Sequence, residues 1–233
     1  MHYLDAAYRP ACARFGLRFT LDLVRPGYFP KGGGEVVATL EPLGEAGLRG
    51  TRMMERGALV EAVVLGYYSD LPVHVGERSV NEAEKRLRGV CRARDIKLVT
   101  RHEQAPPARN PGGVALAAAR FQHGMAAYQA VAKRGRAAED LGREVGEALA
   151  AFLSHGEPSP TVDAKLADQL LLPAAFAAGE TTLRTERVTR HLTSNAQILR
   201  CFAPCEIEIA GNDDEPNVAV SVRGPQSTSE AIF

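Results

Sequence analysis

The hydrophobic period of this chain changes repeatedly, and that switching constrains its fold more than any other feature. Tyr3, Leu4, Ala7, Tyr8, Ala11, Cys12 and Phe15 recur at the spacing of one helix face, and Gly16 supplies a stop. Leu17, Phe19, Leu21 and Leu23 then alternate with polar residues, which is a strand period. Pro26, Gly27, Pro30 and the triple glycine Gly32-Gly33-Gly34 break it, and residues 35–41 read as the next strand, stopped by Pro42. Residues 58–69 give another strand. From Ser79 the pattern becomes helical and basic, with Lys85, Arg86, Arg88, Arg92 and Arg94, and residues 96–100 are again strand-like. Residues 105–113 form a loop rich in proline and glycine; 114–121 is a continuous apolar run that suits either strand or helix.

Residues 137–153 predict an amphipathic helix with Leu141, Val145, Leu149 and Phe152 on one side. After a linker at 156–160, Thr161 or Asp163 caps a helix through Leu166, Leu170 and Leu171. Residues 181–188 read as strand, 191–202 as helix, and 206–210 and 218–222 as strands, while the tail 226–233 carries no pattern. Helices thus alternate with strands, but hairpins are mixed in. That favours an α+β fold, helices layered on mixed sheets, over a doubly wound parallel sheet.

Composition narrows the function classes. With 28 basic and 28 acidic residues in 233, the chain has no overall electrostatic pull toward nucleic acid, although local patches remain open. A hydrophobic share of 45% is that of a globular chain, not a disordered one. No apolar run approaches the roughly 20 residues of a membrane span. The opening Met-His-Tyr-Leu-Asp runs straight into the helical pattern, so the reading is cytoplasmic, not secreted. Cys12, Cys91, Cys201 and Cys205 make neither a disulfide framework nor a zinc pattern and read as buried thiols in a reducing compartment.

Several motifs invite chemistry. The triple glycine lacks the Lys-Ser/Thr and helix that a phosphate loop needs, and reads instead as a reversal between two strands. None of the six histidines sits in a metal-ligand spacing, and there is no Gly-x-Ser-x-Gly elbow. Thr189-Arg190-His191-Leu192-Thr193-Ser194-Asn195 lies at a strand-to-helix junction. There, neighbouring hydroxyls and an amide can orient a histidine ring, and helix-start amides favour an anion; a plain helix cap with a surface histidine is the alternative. Asp168 and Gln169 are polar groups within an apolar helix, either ligand contacts or its exposed face.

In order along the chain, these residues resemble the RNA 3′-terminal phosphate cyclase family. Gly27-Tyr28-Phe29-Pro30-Lys31-Gly32-Gly33-Gly34 is similar to the family's Gly-aromatic-aromatic-Pro-x-Gly-Gly-Gly turn, and His74-Val75-Gly76-Glu77-Arg78 to its His-Val-Ala-Glu-Arg. Gly135-Arg136-Ala137-Ala138-Glu139-Asp140-Leu141-Gly142 fits the start of its post-insert helix. Leu166-Ala167-Asp168-Gln169-Leu170-Leu171-Leu172-Pro173 and Thr189-x-His191-x-x-Ser194-Asn195 are similar to its two most diagnostic signatures.

The resemblance implies a catalytic domain of repeated βαββ-type two-layer units over residues 1–71 and 135–233, interrupted by a small α/β insert at 72–134. It implies ATP-dependent conversion of an RNA 3′-phosphate to a 2′,3′-cyclic phosphate through histidyl-AMP, with Mg²⁺ or Mn²⁺ beside ATP. His191 matches the nucleophile. Lys165, Leu166, Ala167, Asp168 and Gln169 match the adenosine-nucleotide contact segment. Lys165 stands where relatives often carry an aromatic or histidine that stacks on adenine; a lysine pairs with a phosphate or is solvated. The basic stretch from Lys85 to Arg101 falls in the insert, to guide RNA phosphates or as a solvated face. The family's glycine-rich opening segment has no counterpart in this sequence. The expectation is therefore a cyclase truncated at its start, or alternatively an inactive cyclase-like, RNA-binding or ribosome-assembly protein. The oligomeric state stays open.

Overall fold

Alanine-rich strands and glycine-bearing helices let this chain bring its layers close together, in an α+β arrangement. The structure, a computed structural model, describes residues 1–226; apart from Gln226, the patternless tail lies outside the described residues. A π-helical turn (Leu4–Tyr8) runs into α1 (Arg9–Arg14), and β1 (Phe19–Arg25) and β2 (Glu35–Leu40) form a hairpin. Then come β3 (Arg52–Met53), β4 (Leu59–Ser69), α2 (Val73–Ala93), β5 (Leu98–Gln104), β6 (Gly112–Phe121), β7 (Met125–Val131) and α3 (Ala138–Ser154). The last stretch is α4 (Ala164–Phe176), β8 (Glu180–Arg187), α5 (Arg190–Phe202), β9 (Glu206–Ile209) and β10 (Pro216–Arg223), so β8 to β10 make one βαββ unit.

One sheet has the order β5-β4-β6-β7, parallel only between β4 and β5. The other has the order β3-β8-β10-β9, parallel only between β3 and β8. Val162 bridges Met125 and Thr185 and so joins the two sheets edge to edge. Helices α2 and α3 cover one face of the first sheet over Val64, Val80, Leu87, Ala117, Val145, Leu149 and Phe152. A second core brings Phe15, Met53, Leu116, Ala118, Leu166, Leu170, Leu183, Leu192 and Val220 together. Strand β6 feeds alternate residues into both cores, which is why its sequence shows no alternation and left strand and helix equally open. Strand β4, which lies before residue 72, is hydrogen-bonded to both β5 and β6.

Three further expectations are revised. Helix α2 begins at Val73, six residues before Ser79, because its buried stripe opens on Gly76 and Ser79, residues too small or polar to register as apolar. Strand β7 was not expected at all, its alternation being hidden by Ala126, Ala127 and Ala130. Cys12 and Cys91 are buried thiols, but Cys201 is exposed and Cys205 half-buried. The glycine reversal is as expected: Gly32 (φ 58°) and Gly33 (φ 75°) take left-handed backbone between β1 and β2. On α2, Lys85 and Arg86 both pair with Glu82, and Arg86 also reaches Glu147, so the basic stretch is partly neutralised by its neighbours.

Two contacts fix the layers. Helices α2 and α3 touch backbone to backbone, since a Cβ on Gly142 would meet the carbonyl oxygen of Ser79 at 2.0 Å. At the other end of the molecule, the buried Asp163 caps α4. Its Oδ1 accepts from the amides of Lys165 (3.0 Å) and Leu166 (2.9 Å) and from the Tyr3 hydroxyl (2.8 Å), and its Oδ2 accepts from the Ala127 amide (3.0 Å). One carboxylate thereby ties the first helical turn, β7 and α4 together. Burial pushes its pKa up to about 6, against the opposing pull of the Ala127 and Leu166 amides and the Tyr3 hydroxyl.

Gly142→Ala gains about 1 kcal/mol of helix propensity but forces two backbones apart at a cost of about 1–3 kcal/mol. We expect a net loss of stability in denaturant unfolding; a gain would mean that the two helices separate freely. For Asp163 the folded protein holds the proton to higher pH than the unfolded chain does. The stability of the parent relative to Asp163→Asn therefore falls as pH rises from about 4 to about 6, by up to roughly 1.4 kcal/mol per pH unit. A flat difference across that window would refute the raised pKa.

Candidate active site

Helix α4 carries two opposed stripes. Leu166, Ala167, Leu170, Leu171 and Ala174 are buried in the core, whereas Lys165, Asp168, Gln169 and Leu172 recur at helical spacing on the other side. On α5, Leu192 and Ala196 are buried and His191, Asn195 and Ile198 form the neighbouring stripe. Between the two helices and the first helical turn lies a cavity of about 390 Å³, lined by Leu4, Tyr8, Asp168, Gln169, Leu172, Asn195, Ile198 and Leu199.

The structure divides the five expected nucleotide-contact residues. Asp168 and Gln169 line the cavity, half-buried and not on a plain solvent face, whereas Leu166 and Ala167 are fully buried and point the other way. Lys165 is exposed, with its Nζ 4.4 Å from the centroid of the Tyr3 ring, a cation–π contact. Gln169 has a buried Oε1 with no hydrogen-bond partner among the described residues.

His191 sits in the first turn of α5, exposed, one turn before Asn195. The Thr189 side chain caps this turn by accepting from the Leu192 amide (3.1 Å), and the first turn contains no acidic residue. The helix start therefore presents its positive end to the space around the imidazole. The nearby hydroxyls do not orient the ring, contrary to one expectation. Ser194 Oγ donates to the His191 carbonyl oxygen (3.2 Å), and Thr193 Oγ1 donates to the Arg190 carbonyl (3.2 Å) and to Asp213 (3.3 Å). The charge of His191 is felt at Asp168 on α4. Burial raises the pKa of that carboxyl, and the charges of His191 and Lys165 oppose the rise.

The arrangement thus offers an exposed imidazole at the start of α5 and, on α4, a half-buried carboxylate, an amide and a cation. Tyr8, Leu172 and Ile198 were missed in the sequence because only the packing of three separate helical segments brings them to one cavity. Among the described residues, no three His, Cys, Asp or Glu side chains converge as a metal cage. No helix among them is long and apolar enough to cross a membrane.

Comparison with known proteins places this geometry in context. A protein of Pyrobaculum neutrophilum named RNA 3′-terminal phosphate cyclase is 32% identical over 224 residues, 95% of this chain and 61% of its own length. Proteins of the same name from Methylococcus capsulatus and Methanopyrus kandleri are each 32% identical, over 89% and 95% of this chain. The chain spans only 55–61% of the length of these relatives. The family model described as RNA 3′-terminal phosphate cyclase matches residues 1–209, and the chain belongs to that family.

Proposed function

We propose that this chain carries the nucleotidyl-transfer centre of an ATP-dependent RNA 3′-phosphate cyclase. The observation that carries the reading is His191 on the exposed first turn of α5, one turn before Asn195, which lines a cavity together with Asp168 and Gln169. In this reading the His191 Nε2 lone pair attacks the α-phosphorus of ATP. The P–O bond to the β-phosphate breaks, pyrophosphate leaves, and AMP stays on the ring as a phosphoramidate. The RNA 3′-phosphate oxygen then attacks the same phosphorus, and the ring nitrogen leaves. The adjacent 2′-hydroxyl finally attacks the activated 3′-phosphate, loses its proton and expels AMP. The amides at the start of α5 favour the negative charge that develops on the phosphoryl oxygens.

Asp168 serves as a positioning residue for the imidazole and for the charge it gains when its lone pair is used. Gln169 lines the cavity, where its side-chain amide suits the polar edge of adenine. Lys165, drawn over Tyr3, offers a charge to phosphate rather than a stacking surface to the base. Mg²⁺ or Mn²⁺ has no protein cage among the described residues; it would arrive on the triphosphate and neutralise its charge. We also propose that the family's insert corresponds to β4 through α3, wider than 72–134, because those elements share one sheet and one core.

The test uses ATP labelled at the α-phosphate. We expect acid-labile, alkali-stable label on the parent chain and none on His191→Ala. For Asp168→Asn we expect labelling slowed by about tenfold or more, equivalent to about 1.4 kcal/mol in the barrier. A folded parent that takes no label would favour a non-catalytic, RNA-binding or assembly role for this chain.

A further inference from the structure

A large cavity lies away from His191, at the far end of β7, and the function proposed above makes no use of it. Its volume is about 1,210 Å³, and its floor is apolar, formed by Leu71, Val75, Ala132 and Leu141 among others. That exceeds the roughly 300–1,000 Å³ of small-ligand pockets. Arg78, Lys133, Arg134 and Arg136 line it together with Phe29 and Pro30, and no acidic residue does. Arg78 and Arg136 are paired with Glu139 and Glu144, whereas Lys133 and Arg134 are exposed and make no ion pair among the described residues. About five residues of strand separate the Ala127 amide on Asp163 from Ala132 at the cavity, roughly 17 Å, so this is a second surface.

Phe29 is the notable component. Its side chain is 94% exposed, although the backbone around it is held firmly. The Asn110 side chain donates to the Phe29 carbonyl oxygen (3.0 Å), Tyr28 packs directly over Gly112, and Arg109 lies against Gly33. The hairpin tip is therefore docked on the 105–111 loop, and a large aromatic ring is presented to solvent beside unpaired cations. Burying nothing, the ring contributes little to the fold. A fixed aromatic plane next to free positive charge is what a strand of unpaired bases with phosphates recognises.

We propose that the cavity bounded by Phe29, Arg78, Lys133 and Arg134 binds single-stranded RNA, with a base stacked on Phe29 and backbone phosphates on Lys133 and Arg134. Charge complementarity favours nucleic acid over a neutral partner, and the aromatic plane favours unpaired bases over a duplex. Only the choice of RNA over DNA rests on the function proposed above.

The test measures binding of a fluorescent single-stranded RNA that ends in a 3′-hydroxyl, without ATP, so that adenylylation plays no part. We expect Phe29→Ala to weaken binding by about tenfold, the loss of one stacked base. The double variant Lys133→Ala/Arg134→Ala should lower the slope of log affinity against log salt by about 1.4. All the substituted side chains are exposed, and an unchanged thermal transition checks that the fold survives. His191→Ala should bind this RNA like the parent, whatever its labelling result. Failure of the parent to bind, equal binding by parent and variants, equal affinity for a duplex of the same length, or tighter binding of a polyglutamate peptide would each overturn the proposal.

Discussion

The rest of the site depends on one buried carboxylate. Asp163 accepts four hydrogen bonds from three separate parts of the chain, at sequence separations from 2 to 160 residues. An unpaired donor in that setting would cost about 1–3 kcal/mol, so the first helical turn, β7 and α4 are held as one body. The consequence lies one turn further along α4. With its cap fixed, the rotation of the helix about its axis is fixed too, and Lys165, Asp168 and Gln169 are turned toward Tyr3 and α5 rather than toward the core. Thr189 does the same for α5, where a single side-chain cap sets His191 on an exposed first turn. Two caps therefore define the spacing of the two functional stripes, with no side-chain bond needed between the helices themselves.

Close layering makes this possible. Glycines at the α2–α3 crossing and alanines along β6 and β7 keep the helical layer tight against the first sheet, leaving β6 buried on both faces. A doubly buried strand is a rigid partition, and its two sides can serve different ends. One side packs α2 and α3, and the other forms part of the core beneath α1 and α4. The buried Arg56 reinforces the end of α3, donating to the carbonyl oxygens of Phe152 and His155.

What was legible in the sequence follows from these same facts. The cap of α4 was legible to within two residues, as Thr161 or Asp163, because a cap acts within three residues, and so were the amphipathic α3, the helix α5 and the glycine reversal. Strand β7 was not, since alanine neither marks a face nor breaks one. The start of α2 was hidden by a stripe that opens on Gly76 and Ser79. At the site, the motif segment 165–169 was legible as a unit but not as two faces. A helix must send Leu166 and Ala167 opposite to Asp168 and Gln169, and only the packing shows which pair is inside. The contact of Lys165 with Tyr3 spans 162 positions and leaves no trace in either local sequence.

Charge teaches the same lesson at larger scale. Equal numbers of acids and bases suggested a surface without preference for nucleic acid, and the most basic-looking segment suggested the opposite for α2. Neither describes the surface that forms. On α2, Glu82 sits within a turn of Lys85 and Arg86 and draws both, as i, i+3 and i, i+4 neighbours do on any helix. Lys133 and Arg134 lie in a turn, where no such neighbour is built in, and among the described residues they remain unpaired beside an apolar cavity. A cation's availability to a ligand is thus set less by how many bases surround it in sequence than by whether its secondary structure supplies an acid at reach.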